Sequence, residues 1–299
     1  MDQSFARIKQ AATHPSVTDR PYVSVVLPTF NEAGNIVSLI ERVAAALAGV
    51  PHEILVMDDR SPDGTARLAR EAAADFPQTI VIEREPPAGL TRSIRDGIER
   101  ARGTFVAWMD CDFSHPPELL PSLLAPLRSG AADIACASRY VHGAADHRGD
   151  RAAVWASVII TRMARAAIDR RVLDYTTGYL MAPRALLLEL GLRGNYGEYC
   201  IELLGSAAVR GYRVREVPYE SIPRVAGESK TATSLLGFAR RGWRYLVTIG
   251  RVWWRRRAIA ARGVVPGTTT RDLQEDASDR PEKPSSPGSP PAPQPSATP

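Results

Sequence analysis

The chain has 299 residues, 44% of them hydrophobic, enough for one sizeable core or a core with appendages. Lys and Arg total 38 against 33 Asp and Glu; the net charge of +5 and pI ≈ 9.3 point to an anionic partner, whether nucleic acid, a phosphate ligand or an anionic membrane. Cys111, Cys136 and Cys200 are widely spaced, which excludes a disulfide framework and a zinc-finger pattern and reads as reduced thiols of a cytosolic protein. The opening segment MDQSFARIKQAATHPS has no apolar core of a signal peptide, and no uncharged apolar run approaches the roughly 20 residues of a membrane span.

Residues 1–20 read as an N-terminal extension. Short β-branched runs then alternate with helical periodicity: strand 23–28 and helix 35–48, strand 53–58 and helix 64–74, strand 79–82 and helix 90–101. Strand 104–109, helix 117–128 and strand 132–138 follow. Near-continuous apolar strands between helices predict an α/β fold, a mostly parallel Rossmann-like sheet flanked by helices on both faces. Beyond residue 138 the pattern changes. Segment 152–168 is apolar with Arg151, Arg162 and Arg165. Segment 235–259 repeats Leu236, Ala239, Trp243, Leu246, Val247, Gly250 and Trp254 at helical spacing, beside a stripe of Arg240, Arg244, Arg251 and Arg255. Residues 231–262 therefore read as amphipathic basic helices that associate with a membrane surface. Residues 263–299 contain nine prolines among serines and charges, the composition of a disordered tail.

Ligands of such sheets bind beyond the carboxyl ends of the strands. Acidic residues gather there: Asp58 and Asp59 after the second strand, Asp110 and Asp112 after the fourth. In WMDCDFSHPP an extended backbone would point Asp110 and Asp112 to the same side, and two hard oxygen donors suit Mg²⁺ or Mn²⁺ carrying a diphosphate. The structural alternative is that they cap the helix beginning near Pro116, a task for which Ser114 is better placed. In MDDRSPDGT a carboxylate can accept hydrogen bonds from a ribose or base; the alternative is a turn with Asp63 at a helix N-terminus. In LPTFNEAGNI, Asn31 or Asn35 suits a helix cap, which leaves Glu32 without a structural task. Arg139 of SRY sits on the same rim, either a solvated charge or a bidentate phosphate donor. PRVAGESK places Arg224 and Lys230 around a polar loop.

Together these segments resemble family 2 glycosyltransferases of the GT-A fold, and more narrowly the dolichol-phosphate mannose synthases and their bacterial polyprenol-phosphate relatives. The resemblance rests on Pro28-Thr29-Phe30-Asn31-Glu32, Asp58 through Thr65, Gly89-Leu90, Asp110 through Pro117, Ser138-Arg139-Tyr140 and Arg224 through Lys230. It defines a catalytic domain over 21–230. It implies that Pro28, Phe30, Glu32 and Asp59 line a nucleotide pocket. Asp110 and Asp112 would hold Mg²⁺ or Mn²⁺ and the diphosphate, with Cys111, where the family has Ala, in the same substrate site. Arg139, Arg224 and Lys230 would face phosphates, and Arg151 would help hold the lipid phosphate. Asp112 and Arg139 are thus the expected carriers of the chemistry. Segment 174–182 keeps the start of a family motif and alters its end at Thr177-Gly178-Tyr179, which changes the sugar or acceptor pocket.

The implied reaction moves a hexosyl group, mannose from GDP-mannose, onto a polyprenyl monophosphate with inversion. An ionised phosphate needs no strong general base, in line with a sequence whose histidines stand in no convincing catalytic setting. Expected partners are the nucleotide diphosphate sugar, polyprenyl phosphate and the cytoplasmic face of a membrane, with room for a membrane-embedded partner that uses the lipid-linked sugar. Rivals are a family 2 transferase with another donor or a non-lipid glycan acceptor, and a noncatalytic sugar-nucleotide-binding subunit. No recognition helix or stacking platform supports nucleic acid.

Overall fold

The structure, a computed structural model, describes residues 20–147, 151–221 and 235–261, and the side chains of all of these except 151–153 and 235–241. Arg224, Lys230, nearly all of the N-terminal extension and the tail from 263 lie outside the described residues, as do the side chains of Arg151 and Arg240.

Strands and helices alternate as the hydrophobic pattern predicts: β1 (Val23–Thr29), α1 (Ile36–Ala46), β2 (His52–Asp58), α2 (Thr65–Ala72), β3 (Thr79–Glu83), α3 (Leu90–Arg100) and β4 (Phe105–Trp108). A 3-10 turn (Pro117–Leu119) leads into α4 (Leu120–Arg128), then β5 (Ile134–Ser138) and β6 (Ala145–Asp146). The second half carries α5 (Arg151–Ala167), β7 (Leu180–Pro183), α6 (Arg184–Leu190), α7 (Glu198–Val209), β8 (Val214–Pro218), β9 (Glu220–Ser221) and α8 (Leu235–Ala261).

The main sheet has the order β3-β2-β1-β4-β7-β5-β8. It is parallel except for β7, which runs antiparallel between β4 and β5. Strands β7 and β8 belong to a half of the chain that the period-2 reading leaves unassigned, because neither shows a β-branched run. Each face of the sheet has its own core. Val25, Leu27, Ile54, Val56 and Ala107 point to one side, under α1, α2 and α4. Val26, Leu55, Met57, Val106 and Trp108 point to the other, where α3, α6, α7 and α8 cover them. The alternation is the pleat at work, and burying each such aliphatic side chain contributes about 1.5–3 kcal/mol. Gly97 lets α3 lie close on β1: a Cβ there would meet Val26 Cγ1 at 2.4 Å.

At the amino ends of the strands the buried Glu53 accepts from Ser24 Oγ at 2.6 Å and from the Arg102 backbone N–H at 2.7 Å. That network joins β1, β2 and the start of β4 far from the ligand rim. Among the described residues no helix is long and apolar enough to cross a membrane.

Candidate active site

Three loops leave the carboxyl ends of β1, β2 and β4, and each contains a non-glycine residue in left-handed backbone: Asn31 (φ 57), Arg60 (φ 57) and Phe113 (φ 63). Such conformations cost on the order of 1–3 kcal/mol each and persist where the surroundings fix them. Here the fixing is visible. The Asn31 N–H donates to Ser61 Oγ at 3.0 Å, joining the first two loops. Phe113 is buried under the Arg42 guanidinium, 4.8 Å from its ring centroid, while Arg42 forks onto Glu118 with two 2.8 Å bonds.

The acidic residues divide by task. Asp58 is fully buried and accepts from Thr29 Oγ1, Ser61 Oγ and the Ser61 N–H at 2.6–3.0 Å, so it holds the strand ends together. Asp63 accepts from the Thr65 N–H and the Ala33 N–H, both at 3.0 Å, which is the structural alternative for that residue. Although burial pushes its pKa upward, the Thr65 hydroxyl, which donates to it at 2.6 Å, and these two N–H groups outweigh that and hold Asp63 below the ordinary carboxylate value. Glu32 accepts from Asn35 Nδ2 at 3.0 Å and its N–H donates to Thr65 Oγ1 at 2.9 Å, so it does have a structural task. Asn35 stands at the start of α1, but its side chain serves Glu32 instead of capping the helix. Phe30, 42% exposed, begins the same loop, two residues after half-buried Pro28.

Asp59 is ion-paired with Arg84 and accepts from the Gly89 N–H at 2.8 Å. Arg84 is itself buried and also bonds Asp96 at 2.8 Å. Sequence reading missed Arg84 and Asp96, since a lone arginine after a strand carries no signal. They tie Asp59 to the segment 84–89 that enters α3.

β4 ends at Trp108, so Asp110 and Asp112 lie in irregular backbone and the extended alternation expected for them does not apply. The Asp110 side chain is 40% exposed. Asp112 is buried, and its Oδ1 accepts from the Ser114 N–H at 3.0 Å and Ser114 Oγ at 2.6 Å. Neither aspartate nor Ser114 caps the following helical turn, which has no side-chain cap. Cys111, expected in the substrate site, is turned inward: its Sγ donates to the Pro28 carbonyl at 3.4 Å and packs in the core.

A histidine that sequence reading set aside lies directly beneath this loop. The Asp110 N–H donates to His115 Nδ1 at 3.0 Å, and the ring is buried and stacked on Tyr179 with centroids 5.2 Å apart. Gly178 adjoins them: a Cβ there would lie 3.3 Å from His115 Cε1, 3.7 Å from the Tyr199 hydroxyl and 3.9 Å from Asp110 Oδ2. The altered segment 177–179 therefore forms the wall beside Asp110. Trp108 Nε1 donates to the Tyr199 hydroxyl at 3.0 Å, and burial pushes that hydroxyl well above its ordinary pKa.

Arg139 differs most from expectation. Its Nε and Nη2 fork onto Asp174, both at 2.9 Å, and Nη2 also reaches Thr176 Oγ1 at 2.8 Å. Both partners are buried. The bidentate edge expected for a phosphate is committed to a carboxylate. Burial alone would lower the Arg139 pKa, but Asp174 outweighs it and holds the guanidinium above its ordinary value. Glu216 of β8 clamps the same loop, accepting from the Leu173 and Asp174 N–H groups at 2.7 and 2.8 Å.

The rim can bind a metal only with help. Among the described residues no group of three or more His, Cys, Asp and Glu side chains converges. Two carboxylates with substrate phosphates and water are the usual donor set for Mg²⁺, so Asp110 and Asp112 fit a metal that arrives with a diphosphate.

The mainly parallel sheet flanked by helices, with one antiparallel strand beside β4, is an α/β architecture of the GT-A type. Residues 24–191 match the family described as Glycosyl transferase family 2, and the chain belongs to that family. More particularly, it is 34% identical over 239 residues to the polyprenol monophosphomannose synthase of Mycolicibacterium smegmatis, covering 76% of this chain and 88% of that protein. It is 33% identical to the undecaprenyl-phosphate mannosyltransferase of Micrococcus luteus, covering 73% and 90% of the two chains. Against the dolichol-phosphate mannosyltransferase of Pyrococcus furiosus the identity is 32%, and the match spans 70% of this chain but only 58% of that longer relative. The solved structure of glucosyl-3-phosphoglycerate synthase from Mycobacterium tuberculosis, in complex with Mn²⁺, UDP and glucosyl-3-phosphoglycerate, shares the fold. Its TM-score is 0.60 at 20% identity, covering 78% of this chain and 80% of that one.

Proposed function

We propose that this glycosyltransferase moves mannose from GDP-mannose to a polyprenyl monophosphate. A phosphate oxygen of the acceptor bonds to the anomeric carbon as the bond from that carbon to the diphosphate oxygen breaks. The nucleoside diphosphate leaves, and a single in-line displacement inverts the centre. The acceptor phosphate, with a second pKa of roughly 6, is largely ionised and requires no base. The observation that carries the reading is the acidic rim after β4, enclosed by the family match over 24–191, in a chain similar along most of its length to polyprenol-phosphate mannosyltransferases.

Asp110 and Asp112 would hold Mg²⁺ or Mn²⁺, which when bound supplies positive charge against the leaving diphosphate. Pro28, Phe30 and Glu32 line the nucleotide side, and Asp59 shapes it through Arg84 and Gly89. Arg151, Arg224 and Lys230 take the acceptor phosphate. Arg139 acts by positioning: its grip on Asp174 fixes the loop that carries Gly178 against Asp110. The reaction would take place on the cytoplasmic face of a membrane. Trp155, Ile159 and Met163 of α5 and Trp243, Val247 and Trp254 of α8 are exposed apolar side chains on two contacting helices, the surface a peripheral enzyme needs.

The test is incubation of the purified chain with labelled GDP-mannose, polyprenyl phosphate and Mg²⁺ or Mn²⁺, with UDP-glucose in parallel, then organic extraction. Label in the organic phase from GDP-mannose is the expected result. Label confined to water while the sugar nucleotide is consumed would sink the lipid acceptor.

A further inference from the structure

A cleft of ≈ 390 Å³ opens between residues 193–198, before and at the start of α7, and one side of α8. Its size falls among ligand sites. It lies outside the rim of acidic loops and shares none of their residues.

Its lining is chemically divided. Arg193 and Arg251, both exposed, and half-buried Arg244 line the cleft, and among the described residues none of the three has a carboxylate partner. Glu202 of α7 lines it too and is buried. Its Oε1 pairs with Arg255 at 2.5 Å, while its Oε2 is buried without a hydrogen-bond partner among the described residues. A buried acceptor left unmet is costly until a donor reaches it. The cleft thus has arginines along its edge and, in its wall, the buried Glu202 carboxylate with one oxygen unmet. A simple anion would suit the arginines and leave Glu202 Oε2 unmet; a simple cation would do the reverse. A molecule carrying a phosphate and, a few bonds further, a positively charged N–H donor satisfies both ends.

The approach is set by Trp243, 67% exposed, and Val247, which line the same cleft and belong to the apolar face of α8. A ligand entering past them comes from the side where that face would meet a bilayer. We infer that this cleft seats the headgroup of an ethanolamine phospholipid, with its phosphodiester against Arg193, Arg244 and Arg251 and its ammonium at Glu202. The inference rests on the membrane-surface reading of α5 and α8, and fixes the lipid that the surface selects.

The test is flotation of the full chain with three vesicle types at fixed salt: phosphatidylcholine alone, phosphatidylcholine with phosphatidylethanolamine, and phosphatidylcholine with phosphatidylglycerol. The ethanolamine mixture adds no net charge but adds an N–H donor that choline lacks. It should raise binding over phosphatidylcholine alone on the order of tenfold, the worth of one charge-assisted contact. Arg244→Ala with Arg251→Ala should abolish that increment while transfer to a short acceptor in detergent is unchanged. Glu202→Gln should also abolish it; as that change touches the Arg255 pair, its melting temperature is read alongside, and the arginine variants stand independently. Equal binding to choline and ethanolamine vesicles overturns the site, as does an increment that survives the double arginine variant. Binding that responds only to phosphatidylglycerol and to salt overturns the site and leaves the surface reading standing. No binding to any vesicle removes both.

Discussion

Asp110 and Asp112 differ in surroundings, so their substitutions should separate chemistry from folding. Asp110 is 40% exposed, with its Oδ2 3.9 Å from His115 Nδ1, and asparagine keeps its size and shape, so Asp110→Asn should leave the melting temperature within the small range of surface changes. Its transfer rate should fall about 100-fold or more, the usual loss when a group that stabilises transition-state charge is removed. Wild-type turnover with saturating Mn²⁺ or Mg²⁺ would remove Asp110 from the metal site. Asp112→Ala should lose activity and also about 1 kcal/mol of stability, because Asp112 also fixes the turn at Ser114. The buried pair Arg139–Asp174 sets a different expectation. Asp174→Asn strands a buried guanidinium and should cost about 3–5 kcal/mol, read by denaturant unfolding. Burial alone would raise the Asp174 pKa, but Arg139 outweighs it and holds the carboxyl below its ordinary value. Its stabilisation is therefore complete above the unfolded pKa of about 3.9 and is lost as pH falls through the lower folded value. The wild type should lose stability in that acid window more steeply than Asp174→Asn; parallel slopes would show that the pair does not carry the acid sensitivity.

At the scale of elements, the packing of α3 on β1 turns on a missing side chain. Replacing Gly97 by Ala improves helix propensity by about 1 kcal/mol. The added Cβ, however, would lie 2.4 Å from Val26 Cγ1 in a core where Val26 is fully buried. Overpacking of this kind costs about 1–3 kcal/mol, so Gly97→Ala should lower the melting temperature. Val26→Ala added to it should recover part of the loss, giving a coupling of opposite sign to two independent defects. Additive losses would mean that the helix shifts away instead. The same element carries Asp96 to Arg84 and opens at Gly89, which donates to Asp59, so a displaced α3 should also weaken nucleotide binding.

For the whole molecule the question is how α8 divides its faces. Thr248, Ile249 and Val252 are buried against the catalytic domain, while Trp243, Leu246, Val247 and Trp254 remain exposed. The arginine stripe read from the sequence does not act as one unit. Arg255 turns to Glu202 and Ser206, and Arg256 donates to the Ala167 carbonyl at 3.2 Å. If α8 lies on a membrane as proposed, Arg244 and Arg251 are the stripe members with described side chains that would meet anionic lipid, each worth about 1 kcal/mol near such a surface. Arg244→Gln with Arg251→Gln should weaken sedimentation with phosphatidylglycerol vesicles by roughly tenfold or more, and added salt should erase the difference. Arg255→Gln should instead lower thermal stability. Binding indifferent to lipid charge and salt would assign the arginines another task.

The parallel half of the fold follows from local pattern in the sequence. Apolar runs such as Val23–Thr29 and Phe105–Trp108 need cover on both faces, and the intervening helical periodicity supplies it. Local pattern also placed the acidic residues at strand ends, because strand ends are local events. It separated α8 into an apolar and a basic stripe, since a 3.6-residue period is local too. What those side chains touch follows only from long-range packing. The antiparallel insertion of β7 pairs it with β4 residues about 75 positions away and β5 residues about 45 away, distances no local pattern encodes. That insertion brings Gly178 and Tyr179 against Asp110 and His115. Partners distant in sequence likewise gave Arg139 to Asp174, Asp59 to Arg84 and Arg255 to Glu202. A charge read from sequence has a sign and a neighbourhood; its counter-ion is chosen only when the chain folds and burial makes an unpaired charge too costly to keep.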